Sequence, residues 1–202
     1  TPEIVVGSAT PGLPKLGEVK SQPMATLIAQ MLQFSDNALG ENIARVVSKE
    51  WSGGGTSASL SSIIPGIIAN LGLDTHGITI RDGSGLSDSN LVPPVFMAQL
   101  MAKVATGEQD LGVIKSAMPV AGKTGSLRNR FTGSSEIARG HVFGKTGWIN
   151  SSRTLSGWLN AQDGSVLSFA FYALGPVQED ATVALDAVTT GAFTCGNNLS
   201  NN

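Results

Sequence analysis

The chain has 202 residues, 41% of them hydrophobic and 14% charged, with a net charge of -2. That is enough apolar material for one domain with a real core, and too little charge for a disordered chain or a nucleic-acid partner. No apolar run reaches the ~18 residues of a membrane span, the single Cys195 excludes an internal disulfide, and two histidines leave too few ligands for a zinc cluster. Low charge with many Ser, Thr, Asn and Gly suits an exported protein. The sequence opens on Thr1 rather than methionine and reads as a mature or excised segment.

Residues 1–20 are punctuated by Pro and Gly, show no period, and read as a connector. From Gln22 the pattern turns helical, with Met24, Leu27, Ile28, Met31 and Leu32 on one stripe. Leu39, Ile43, Val46 and Val47 mark a second helix, and Ser35-Asp36-Asn37 falls on the connection between the two. After Gly53-Gly54-Gly55, Thr56 or Ser57 is placed to cap a third helix carrying Leu60, Ile63, Ile64, Ile67, Ile68 and Leu71. Pro65-Gly66 is expected to kink or split that helix, and Gly72 to stop it. Ile78-Thr79-Ile80 predicts a short strand leading into the turn-rich loop Arg81-Asp82-Gly83-Ser84-Gly85. Pro93-Pro94 opens a helix with Phe96, Leu100, Met101 and Val104.

After Gly140 the texture becomes that of strands: Val142-Phe143 onward, Thr154 to Leu159, and Val166 to Leu174. The last two are joined across Asp163-Gly164, a hairpin signal. The near-continuous apolar run from Val166 predicts burial on both faces. A final helix is expected from about Gln178 to Phe193. The fold class is α+β, with helices first, then an antiparallel meander, then a helix.

Two short motifs carry chemistry. Ser35-Asp36-Asn37 alone is an ordinary helix cap. It gains meaning from a Lys-Thr-Gly far downstream, because the pair belongs to the serine acyl-transferase motif set. Lys-Thr-Gly occurs twice, at Lys123-Thr124-Gly125 and at Lys145-Thr146-Gly147. The chemistry needs it extended at a cleft edge, where ammonium and hydroxyl face an anion. Lys145 continues a strand, whereas Lys123 leads into a polar segment, so Lys145 is assigned to the site and Lys123 to a surface loop. The set's first element, Ser-x-x-Lys, is absent: no serine here has a lysine three residues on. His141, four residues before Lys145, lies roughly 13 Å away along a strand. It and His76 read as structural or exposed. No Gly-x-Ser-x-Gly elbow is present.

Ser35-Asp36-Asn37-Ala38-Leu39-Gly40-Glu41, Asp82-Gly83-Ser84-Gly85-Leu86-Ser87 with Asn90-Leu91-Val92-Pro93, Arg130-Phe131, and Gly144-Lys145-Thr146-Gly147 with Leu155-Ser156-Gly157 together resemble the class C penicillin-binding proteins. These are the D-alanyl-D-alanine carboxypeptidase/endopeptidases of the peptidase S13, DacB type. The resemblance covers about residues 20 to 195. It implies the β-lactamase/transpeptidase-like fold, a five-stranded antiparallel sheet with flanking helices beside a helical part. The early helix, first two strands and Ser-x-x-Lys helix are expected upstream. Residues 1–20 would then return from an insertion, 21–195 form the C-terminal part of the penicillin-binding domain, and 196–202 make a polar tail.

Carried over by position, the resemblance places Ser35 in the proton relay and Asn37 on the substrate's peptide carbonyl. Lys145 supplies positive potential and orients Ser35. Thr146 takes the terminal carboxylate of the D-Ala-D-Ala stem or of a β-lactam, and Gly147 allows close backbone approach. The backbone N–H of Trp148 serves as one oxyanion donor. Trp148 departs from the Thr or Ser of many relatives and removes a second hydroxyl for the carboxylate. The implied activity is a serine DD-peptidase of the periplasm or cell wall, working without metal or organic cofactor. Its nucleophile comes from an N-terminal companion segment. A non-catalytic peptidoglycan-binding remnant and a β-lactamase-like hydrolase are the alternatives. Cys195 is expected to pair outside this chain or to be a buried free thiol.

Overall fold

The computed structural model describes residues 6–8, 10–176 and 179–201. Residues 10–23 carry no helix or strand and are exposed. Helix α1 spans Met24–Phe34 and α2 spans Asn37–Ser52. Asp36 caps α2 by accepting from the Leu39 N–H at 2.9 Å. Helix α3 spans Ser57–Ala69, opened by a capping box between Thr56 and Ser59. Helix α4 spans Pro94–Thr106, with Pro94 in its first turn and Gly107 in the left-handed region as its C-cap. The short α5 follows at Gly112–Ala117.

Strands β1 (Val142–Ile149), β2 (Ser152–Asn160) and β3 (Val166–Leu174) form an antiparallel sheet in the order β1-β2-β3. Helix α6, Glu179–Cys195, closes the chain with a 3₁₀ turn at Gly196–Asn201. The β2–β3 hairpin turns at Asp163-Gly164 as expected. Asp163 accepts from the Ser165 hydroxyl at 2.6 Å and from the Asn197 N–H at 2.8 Å, which pins the terminal turn to the hairpin. Among the described residues no helix is long and apolar enough to cross a membrane.

Strand alternation divides the core. Val142, Leu155, Leu159 and Phe169 face α6 and the 121–138 segment, burying Leu127, Phe131, Leu185 and Phe193 between them. On the opposite face Trp158 and Phe143, stacked with centroids 5.1 Å apart, pack on Met101, Val104 and Met118 of the α4–α5 region. Where β1 crosses β2, Gly144 pairs with Gly157. A Cβ on Gly157 would lie 1.9 Å from the Phe143 carbonyl oxygen, so the strands meet only because this residue is glycine.

Several expectations change. Pro65 does not split α3, which runs as one helix to Ala69. The helix continues past a residue that has no N–H to donate, and Gly72, at φ +69°, follows its end. Ile78-Thr79-Ile80 is no strand. Thr79 makes a single bridge to Leu91, because side-chain and turn bonds take the neighbouring backbone groups. Strand β3 is not buried on both faces. Only Phe169, which packs in the core on the α6 side, is buried; the other β3 residues are partly or fully exposed. Cys195 is exposed and free, which overturns the buried-thiol alternative. Gln178, expected to start the last helix, lies outside the described residues.

Arg130-Phe131 has a structural role. The Arg130 guanidinium binds Asp186 of α6 at 2.6 Å, and Asp186 also accepts the Phe131 N–H at 3.0 Å. Phe131 sits at φ +59° with its ring fully buried. Such a conformation costs on the order of 1–3 kcal/mol and persists only when its surroundings impose it. Replacing Asp186 by Ala strands a nearly buried guanidinium and frees that backbone. It is expected to destabilise the fold by about 3–5 kcal/mol, read from the midpoint of urea unfolding.

Candidate active site

The two motifs meet. Ser35 ends α1 as its C-cap in the left-handed region, at φ 53° and ψ 47°. That conformation is unusual for serine and projects the hydroxyl off the helix end. Lys145 Nζ donates to Ser35 Oγ at 2.7 Å and to the Thr146 carbonyl at 2.7 Å, joining positions 110 residues apart. Asn37 is the first residue of α2 and is exposed, with no side-chain bond among the described residues. Glu41 on the same helix accepts the Gly83 N–H at 2.7 Å and the Ser57 hydroxyl. The Ser57 bond and then the Gly83 N–H hold the Glu41 carboxyl below its usual range. A Cβ on Gly83 would fall 2.3 Å from Ala44 Cβ, so the Asp82 loop lies directly on α2. Within that loop, burial raises the Asp82 carboxyl. The Gly85 and Ser87 N–H groups, with Ser84 and Asn90, outweigh it and leave the carboxyl lowered.

Lys145, Thr146 and Gly147 all lie in β1, whereas Lys123 is exposed in a turn. Gly144 donates its N–H to the Pro119 carbonyl, away from β2. Antiparallel alternation therefore directs the N–H groups of Thr146 and Trp148 out of the same sheet edge. Gly147 opposes Thr154, and a Cβ there would lie 2.4 Å from Thr154 Oγ1. The Thr146 hydroxyl donates to Ser126 Oγ at 2.9 Å. Trp148 is 68% exposed, with the Arg153 guanidinium 4.1 Å from its ring centroid. His141, exposed, lies tilted against Phe193 with ring centroids 5.2 Å apart, and His76 is also exposed, so neither lies at the site.

Ser126 and Arg153 were not picked out by sequence reasoning. Ser126 follows the discounted Lys123 triplet. It reaches Thr146 because Gly125, at φ +55°, opens a 3₁₀ turn packed on Gln33 of α1. The doubled triplet next to a serine was the available signal.

The sequence profile of the D-Ala-D-Ala carboxypeptidase 3 (S13) family matches residues 1–191. The chain belongs to this family. Carboxypeptidase DacB of Mycolicibacterium smegmatis is 32% identical over 181 residues, which are 86% of this chain and 39% of the relative. Carboxypeptidase Rv3627c of Mycobacterium tuberculosis is 30% identical over 201 residues, covering 96% of this chain and 42% of the relative. The S13 chain thus spans about two fifths of the length of these relatives. Penicillin binding protein 4 (dacB) from Haemophilus influenzae superposes with a TM-score of 0.78 at 21% identity, over 91% of this chain and 44% of the other. A β-lactamase from Chitinophaga pinensis gives 0.63 at 19% identity, over 85% and 64%. The fold is the β-lactamase/transpeptidase-like one that the resemblance implies.

Burial between α1 and the sheet lowers the Lys145 ammonium to about 8. An unfolded lysine titrates at about 10.4. Below about 8 both states hold the proton and the full penalty of burying the charge applies. Between the two values only the unfolded chain binds the proton, so stability rises with pH across that window. A Lys145→Met variant is expected to lack this rise in urea unfolding across the same pH range. The Lys145 amine is expected to titrate by NMR with a midpoint near 8.

Proposed function

We propose that this chain supplies two walls of a serine D-alanyl-D-alanine carboxypeptidase/endopeptidase site. The site acts on peptidoglycan stem peptides through an acyl-enzyme and is acylated by β-lactams. The observation that carries this reading is the 2.7 Å bond from Lys145 Nζ to Ser35 Oγ, which sets the Ser-Asp-Asn and Lys-Thr-Gly elements against each other. With its ammonium held down to about 8, Lys145 is suited to pass a proton through Ser35 near neutral pH. Asn37 takes the substrate's peptide carbonyl, and Thr146 takes the terminal carboxylate. The Trp148 N–H, at the open edge of β1, is one oxyanion donor. The nucleophile and its lysine come from outside these 202 residues, on a companion segment carrying Ser-x-x-Lys. The protein works on the outer side of the membrane, in the periplasm or cell wall. The absence of Ser-x-x-Lys from the sequence also favours a second reading, a peptidoglycan-binding remnant that does no chemistry.

Labelling with a fluorescent penicillin separates these readings. The chain alone is expected to form no covalent adduct, and pairing with a segment bearing Ser-x-x-Lys to restore one. In that pairing Lys145→Ala is expected to slow acylation by ~10²-fold or more. Lys123→Ala should change the rate by no more than about twofold. Equal losses would show the assignment of the two triplets to be wrong, and failure of every pairing would favour the binding remnant.

A further inference from the structure

Across the sheet from Trp148, β2 presents Arg153 on the same face. Its guanidinium carbon lies over the indole in a cation–π contact, 4.1 Å from the centroid. One terminal nitrogen donates to Thr182 Oγ1 of α6 at 3.2 Å. Its Nε–H is shut off from solvent and meets no acceptor. Among the described residues no carboxylate pairs with Arg153, whereas Arg130, on the same pocket, is neutralised by Asp186. The pocket has a volume of about 160 Å³ and is lined also by Ser126 and Thr146, whose hydroxyls are bonded to each other at 2.9 Å.

A buried donor without an acceptor costs free energy, and more so on a charged group. Here that donor belongs to a cation without a counter-ion, beside two hydroxyls. Those groups complement an anionic oxygen such as a carboxylate's, to which a guanidinium donates a charge-assisted hydrogen bond.

We propose that Arg153 is a carboxylate-binding residue of this site, replacing the hydroxyl that Trp148 removes, and that Trp148 positions its guanidinium. The inference rests on the serine DD-peptidase reading and assigns the receptor for the substrate's anionic end. One carboxylate oxygen is taken by the Thr146–Ser126 hydroxyls and the other by Arg153. The carboxylate is that of a D-alanyl terminus or of a β-lactam. Trp148 acts through Arg153 and needs only its aromatic face for this.

The test uses the full chain, alone and paired with a Ser-x-x-Lys segment. N-acetyl-D-alanyl-D-alanine, its C-terminal amide, benzylpenicillin and the penicillin methyl ester are titrated while the Arg153 Nε–H signal is followed by NMR. The acids are expected to move that signal and to bind about tenfold more tightly than their neutral partners. Arg153→Gln is expected to bring the acid-to-neutral ratio to about one. In acylation by benzylpenicillin it should raise KM more than it lowers kcat. Trp148→Ala should reduce the ratio as well, and Trp148→Phe should restore it. A shift with only one of the two acids supports the proposal and identifies the carboxylate's source. An Arg153→Gln variant that keeps the wild-type ratio overturns it. So does an Arg153 signal that neither acid moves, which decides the matter even if the variant fails to fold. Acid-selective binding through Arg153 with no acylation in any pairing would sink the peptidase reading and leave the assignment of Arg153 standing.

Discussion

One ammonium ties the end of helix α1 to the sheet. Lys145 reaches from β1 to the end of α1, and its bond to Ser35 spans 110 residues of intervening chain. Helix α1 has no fully buried residue. Its position is held by packing on α5 and by polar contacts that include Lys145 on Ser35, the Gln33 side chain on the Ala117 carbonyl at 2.8 Å, and the close approach of Gly125 to Gln33. The same polar seam is the candidate site. The group that bonds across the interface is also the group whose charge is made costly there, and burial lowers its ammonium to about 8.

Behind that seam the sheet is rigid for ordinary reasons. Leu155 and Leu159 fill one face and Trp158 the other. The Gly144–Gly157 crossing lets β1 lie close on β2. Residues 119–121 pair with the first half of β1 and leave its second half, from Thr146 onward, open at the edge. A strand that is half paired and half free presents backbone donors on a fixed base. The salt bridge from Arg130 to Asp186 locks the segment carrying Ser126 onto α6.

Much of this was legible in the sequence wherever the signal was local. Pro93-Pro94 opens α4, Asp163-Gly164 turns the hairpin, and the stripe from Leu60 marks α3. Context in the sequence assigns Lys145 to a strand and Lys123 to a loop, and the structure puts Lys145 in β1 and Lys123 in a turn. What stayed hidden depends on distant packing. Ser126 is polar and sits in no regular element that a period reveals, and only the fold brings it to Thr146. Arg153 looks like any solvent-facing strand residue until the register sets it against Trp148. The apolar run of β3 correctly marks a strand. Its exposure follows from what pairs with it, and no local pattern records that.

Ser35 occupies a position that helices ordinarily give to glycine. Its left-handed backbone, φ 53° and ψ 47°, costs a serine about 1 kcal/mol that glycine would not incur. Selection for thermal robustness alone would thus favour glycine at this helix end, and a chain that keeps the hydroxyl keeps the strain with it. A residue held against its own conformational preference records which property has been placed ahead of robustness.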